Sequence, residues 1–135
     1  MNTPNSKINN SMSIFTIEKK EDTPEVLVDI ENGTIKFTGK LLPEDSIAFF
    51  APIDEQIKKY TESAKQNTTV DLRLEYMNSS SQKRMIDLLS LLQSLTQNGI
   101  KVNINWHYPE DDDDLLDEGK DLMRMLDKPI NIIPY

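Results

Sequence analysis

Three consecutive serines, Ser79-Ser80-Ser81, stand where the chain changes period. A hydroxyl at such a place can cap a helix or accept a phosphoryl group. Ahead of them, Thr69-Val70-Asp71-Leu72-Arg73-Leu74-Glu75-Tyr76 alternates with period two. Behind them, Met85, Ile86, Leu88, Leu89, Leu92 and Leu95 recur with helical period. Asn78 shapes the turn between the two, and Ser79 to Gln82 has capping-box spacing. The free N–H groups of a helix start favour negative charge, so a phosphate would be tolerated there and would change the local surface sharply. Capping alone also explains the serines. Lys83 and Arg84 follow within a turn, as a solvated face or as phosphate partners.

A second cluster is acidic: Asp111-Asp112-Asp113-Asp114 with Asp117 and Glu118. Hard cations take several carboxylates, but the spacing is not that of an EF-hand loop. Acidic residues in a first helical turn are ordinary, because they complement the helix dipole. A solvated helix start that doubles as a partner-binding surface is the expectation, and no metal site is assigned. His107 is the one histidine, at the end of a strand. A Ser/His/Asp hydrolase can be written from it and Ser79, but no G-x-S-x-G elbow is present. The four glycines, Gly33, Gly39, Gly99 and Gly119, are scattered and make no phosphate-cradling loop. No catalytic residue and no cofactor are therefore expected.

Composition narrows the partners. Net charge is −8, and residues 110–127 hold nine acidic and two basic residues, or −7 of that total. No basic footprint for nucleic acid is present, and anionic membranes are disfavoured. A protein partner with a basic face fits better. The chain has no cysteine, which excludes disulfides and thiol chemistry and fits a cytoplasmic location. No apolar run is long enough to span a bilayer.

The elements that must position these groups read as one α/β domain over residues 13–135, behind a polar, disordered tail over residues 1–12. Ser13–Glu18 is a first short strand or an extended arm. Asn32-Gly33 between Val26–Ile30 and Thr34–Thr38 signals a β-hairpin. Gly39 to Pro43 turns the chain. Pro43–Ser46 opens a helical region with Phe50, Ile53, Ile57 and Tyr60 on one face, as a short turn before Pro52 and a main helix from Pro52 to Ala64. After the strand Thr69–Tyr76 comes a helix from Ser80 to Gln97, ended by Asn98-Gly99. Ile100–Trp106 is a strand, the aspartates open a helix to Leu126, and Ile130–Ile133 is the last strand. The order is a hairpin, then α-β-α-β-α-β, with the later strands parallel and the helices packed on a mixed sheet. Trp106 shares strand parity with Ile100, Val102 and Ile104, which favours the core.

Leu72–Lys83, with its Tyr76-Met77-Asn78-Ser79-Ser80-Ser81 centre, resembles the "LxYxNTSSxK" segment of the SiaC family of bacterial regulatory phosphoproteins. Asn105-Trp106-His107-Tyr108, the aspartates and Leu116–Asp121 resemble that family's "WYYxxDDEDMxExGEDF". Thr23–Val26, Phe49–Ile53 and Ile130–Ile133 also fit, so the likeness covers roughly residues 13–135. It implies a STAS-like fold and a non-enzymatic phospho-switch. It places the phosphoacceptor at Ser79, where the family commonly has threonine, with Ser80 and Ser81 as alternates. It further implies a cognate Ser/Thr kinase, a metal-dependent Ser/Thr phosphatase and an effector bound in the unphosphorylated state, a diguanylate cyclase in the family's best-known system. Asn78, Ser79, Ser80, Tyr108, Asp112 and Asp113 are the expected partner-binding residues. A small acidic metal-dependent enzyme and a constitutive protein-binding module are the alternatives.

Overall fold

In the computed structural model, which describes residues 14–64 and 67–135 and the backbone of residues 6–9, the Asn32-Gly33 turn closes a hairpin. Asp29 accepts hydrogen bonds from the Asn32 backbone N–H (3.1 Å) and side-chain amide (2.8 Å). Gly33 takes φ 65°, a conformation glycine adopts without steric cost. The hairpin joins β3 (Glu25–Asp29) to β4 (Thr34–Leu41). Strand β2 (Ile14–Ile17) pairs antiparallel with β3 on its outer side. Beyond it, β1 (Ser6–Asn9) pairs antiparallel with β2. Ser6–Asn9 was expected in a disordered tail. Main-chain hydrogen bonding to the open edge of β2 needs no apolar sequence, so polarity did not exclude a strand. The rest of that tail lies outside the described residues.

From β4 onward the chain alternates helix and strand. Helix α1 (Ser46–Ser63) leads to β5 (Thr68–Met77), and α2 (Ser79–Gln93) continues as a 3₁₀ turn (Ser94–Asn98) before β6 (Val102–Tyr108). Helix α3 (Asp113–Leu126) leads to β7 (Asn131–Pro134). Strands β4 to β7 are parallel neighbours, and the seven strands lie in sequence order. All three helices therefore start at one edge of the sheet, where β4, β5 and β6 end.

One face of every central strand is buried. Val26, Val28, Ile35, Phe37, Val70, Leu72, Ile104 and Trp106 form it, and Phe50, Ile53, Ile57, Tyr60, Met85, Leu89, Leu92 and Leu122 cover it from the helices. The opposite face carries Lys36, Asp71, Arg73, Asn105 and His107 and is open to solvent.

Two boundaries differ most from the sequence expectation, and β6 also starts and ends two residues later than expected. The short turn expected ahead of Pro52 and the main helix expected after it form one continuous helix, α1, from Ser46 through Pro52. Its start is fixed by Asp45, whose carboxylate accepts from Ala48 N–H at 3.0 Å. The turn ahead of the proline is held by Phe50, which is fully buried against Phe37 and Phe49. Burying such a ring, worth about 1.5–3 kcal/mol, offsets much of the roughly 3 kcal/mol cost of an interior proline. Strand β4, expected to turn at Gly39, instead runs through it to Leu41, with Gly39 at φ 126° and a register shift after it.

Candidate functional site

The junction between β5 and α2 is built by Asn78. Its backbone N–H donates to Leu41 O (3.1 Å), and its side-chain amide donates to Pro43 O (3.3 Å), tying it to the end of β4. Its side-chain oxygen accepts from Ser81 N–H at 3.0 Å and so caps α2. The cap thus falls on Asn78, one residue before Ser79, and the capping box expected from Ser79 to Gln82 does not form among the described residues. Asparagine is at least as good a cap as serine, and here it is also anchored to the neighbouring loop.

This assignment separates the three serines. Ser79 is the first residue of α2, is exposed, and its hydroxyl makes no hydrogen bond among the described residues. Ser80 is exposed, with Oγ donating weakly to Asn78 Oδ1 at 3.4 Å. Ser81 is fully buried, and its Oγ has no partner among the described residues. Arg84 lies 3.7 Å from Asp87, so it is engaged away from the junction, whereas Lys83 is exposed.

Tyr76 departs from the alternation of its strand. Leu74 pairs with Gly39, but Tyr76 pairs with Lys40, which leaves Glu75 as an extra residue on β5. Such a bulge reverses the sense of the pleat. Beyond it Met77 packs partly on the core, while Tyr76 is 60% exposed.

The aspartates open α3 on the same edge. Asp112 is the cap, its carboxylate accepting from Leu115 N–H at 3.0 Å. Asp113 and Asp114 form the exposed first turn, where they complement the helix dipole. Between this turn and the end of β5 lies a cleft of about 320 Å³. Tyr76, Pro109, Leu115 and Tyr135 line it together with Glu75, Asp112, Asp114 and Glu118. Burial, reinforced by repulsion from Asp121 and Asp112, pushes the Glu118 carboxyl above its ordinary range. Tyr108 sits behind this cleft, half-buried against the core, with its carbonyl accepting from Tyr135 N–H at 2.9 Å. Among the described residues no three His, Asp or Glu side chains converge as metal ligands.

His107 does not join the serines. It points to the open sheet face, where Nε2 lies 3.0 Å from Asp71 Oδ1. Asn105 donates to that same oxygen at 2.9 Å, and Asn131 donates to Asn105 at 2.8 Å. Burial alone would raise the Asp71 carboxyl. The hydrogen bonds from His107 and Asn105, with attraction to His107 and Lys36, outweigh it and hold the group below the usual aspartate value. A depressed carboxyl pKa contributes stability that is complete above the unfolded value of about 3.9 and is lost as pH falls through the folded one. Asp71→Asn should therefore destabilise most at neutral pH, and its difference from wild type should shrink below about pH 4. Urea melts at pH 7 and at about pH 3 check this; a difference that stays constant would reject it.

Comparison with known proteins places this architecture. Residues 17–135 match the sequence profile of the SiaC family regulatory phosphoproteins. The chain belongs to that family. It is 33% identical over 97 residues to an uncharacterised protein of Pseudomonas aeruginosa (strain UCBPP-PA14), covering 72% of this chain and 77% of the relative. Apo-SiaC of P. aeruginosa superposes with a TM-score of 0.80 at 29% identity, covering 90% of this chain and 99% of that one. A chain in the crystal structure of diguanylate cyclase SiaD in complex with its activator SiaC, also from P. aeruginosa, gives 0.82 at 27% identity, covering 89% and 98%. The SiaC structures share the mixed α/β order described above. The sequence did not mark Tyr76 and Ile47 as surface groups. Ile47, in the first turn of α1, is 68% exposed. No periodicity signals that, since apolar residues default to the core.

Proposed function

We propose that this protein is a non-enzymatic phospho-switch that binds an effector when Ser79 is bare and releases it when Ser79 is phosphorylated. The observation that carries the reading is the division of labour at the start of α2. Asn78 caps the helix, which leaves an exposed Ser79 hydroxyl with no structural task. Ser80 is the reachable alternate, and the burial of Ser81 argues against it as an acceptor. A cognate Ser/Thr kinase and a metal-dependent Ser/Thr phosphatase set the state, in the cytoplasm. The effector is a diguanylate cyclase, by analogy with the P. aeruginosa SiaC that is crystallised with SiaD. Its footprint takes in Asn78, Ser79, Ser80 and the exposed Asp113 beside the capping Asp112, with Tyr108 as a support behind the cleft.

Incubation with the cognate kinase and ATP should add one phosphoryl group per chain, mapped by mass spectrometry to Ser79. The Ser79→Ala variant should accept none. Modification confined to Ser80 would move the switch by one residue. No modification on any serine would leave a constitutive binding module.

A further inference from the structure

Tyr76 is exposed by construction. Without the bulge at Glu75 it would follow Val70, Leu72 and Leu74 into the core. A re-aimed side chain at the end of a strand is the usual outcome of a bulge near a binding site. Ile47 is in the first turn of α1, which follows β4, the neighbour of β5 on the side away from β6. The loop from β4 to α1 is bonded to Asn78 through Leu41 and Pro43, which sets the first turn of α1 beside that of α2. Five large apolar or aromatic side chains are strongly exposed among the described residues: Ile47, Tyr76, Leu91, Met125 and Tyr135. Leu91 and Met125 are late in their helices, away from this edge. The other three sit on it, Tyr76 and Tyr135 as walls of the cleft beside α3.

The charge of that cleft defines the occupant. Glu75, Asp112, Asp114 and Glu118 line it; Lys19 lies 3.9 Å from Glu75 and Arg73 stacks 4.2 Å over the Tyr135 ring, which leaves Asp112, Asp114 and Glu118 without a cation in the lining. Resting on the phospho-switch reading above, we infer that the effector docks with apolar side chains on Ile47 and Tyr76, and with basic side chains beside them facing the cleft. Ser79 then lies inside a contact whose apolar flanks exclude water. Exposed apolar and aromatic anchors that binding buries, here Ile47 and Tyr76 rather than Ser79, carry most of the affinity of such an interface. Basic side chains at the rim chiefly set the rate and salt dependence of association.

The test titrates the unphosphorylated protein with the source organism's diguanylate cyclase most similar to SiaD. Ile47→Ala and Tyr76→Ala should each weaken binding about tenfold or more. Leu91→Ala and Met125→Ala should stay within about twofold. The pair Asp114→Asn and Glu118→Gln should flatten the salt dependence of the association rate. Fluorescence of the single tryptophan, Trp106, reports that each variant is folded. Wild-type affinity in Ile47→Ala and Tyr76→Ala, with loss in Leu91→Ala, would put docking on the helix layer and overturn the inference while leaving the switch reading intact. An unchanged salt dependence would overturn the basic rim. No binding by wild type would overturn the switch reading and the inference together.

Discussion

Phosphorylation of Ser79 is expected to lower effector affinity by about 100-fold or more while leaving the fold in place. The phosphate adds about −1.5 to −2 charges at neutral pH. Burying such a group against an apolar surface without a cationic partner costs several kcal/mol, and each 1.4 kcal/mol is tenfold in affinity. The exposed Asp113 and Asp114, at the start of α3 on the same edge of the sheet, already make that edge negative. Ser79→Ala should bind the effector as the bare protein does and be indifferent to the kinase. Its stability should lie within about 0.5 kcal/mol of wild type, because Asn78 holds the cap. Asn78→Ala should instead lose about 0.5–2 kcal/mol, since it removes that cap. Isothermal titration of bare, phosphorylated and Ser79→Ala protein measures the first effect, and urea denaturation the second. Equal affinity of the bare and phosphorylated forms would sink the switch. A Ser79→Ala variant less stable than Asn78→Ala would return the serine to a capping role.

The parts of this fold that the sequence made legible are those set by local chemistry. Asn32-Gly33 can close a two-strand turn whatever surrounds it. The apolar spacing of Met85, Leu88, Leu89 and Leu92 can face the sheet only as a helix. The β5–α2 junction that carries Ser79 was legible because a strand period meets a helix period within a few residues. What was not legible depends on partners distant in the chain. The direction of Tyr76 is decided by how β4 registers against β5 beyond Gly39, and nothing within Thr69–Tyr76 encodes that slip. The choice of Asn78 over Ser79 as cap depends on a carbonyl thirty-five residues upstream, that of Pro43. Pro52 looked like a helix start because its cost is local, while the burial of Phe50 that offsets it is tertiary.

Gly119→Ala is expected to destabilise the protein by at least about 2 kcal/mol and to disturb the effector-binding edge at a distance. Glycine inside a helix ordinarily costs about 1 kcal/mol relative to alanine, so on propensity alone the change should stabilise. Here the sign reverses. A Cβ on Gly119 would lie 2.4 Å from Trp106 Cδ1, 2.6 Å from Nε1 and 2.9 Å from Cγ. The indole is fully buried, and its N–H donates to Leu115 O at 2.9 Å. It therefore has neither room to retreat nor freedom to rotate without orphaning a buried donor. Overpacking costs about 1–3 kcal/mol, and a buried N–H left without a partner about as much again. Relief comes only from lifting α3 off β6. That lift moves Leu115 and Glu118, two walls of the cleft, so effector affinity should fall together with stability. Trp106→Phe removes Nε1 and the fused ring, so the smaller ring that remains has no buried N–H to orphan and has room to shift from the new Cβ. Combined with Gly119→Ala it should recover part of the loss, as a coupling of roughly 0.5–3 kcal/mol in a double-mutant cycle. Urea midpoints for the two single variants and the double variant read that coupling. A Gly119→Ala protein as stable as wild type would mean that α3 is not seated on Trp106, and strictly additive variants would mean that the two residues do not meet.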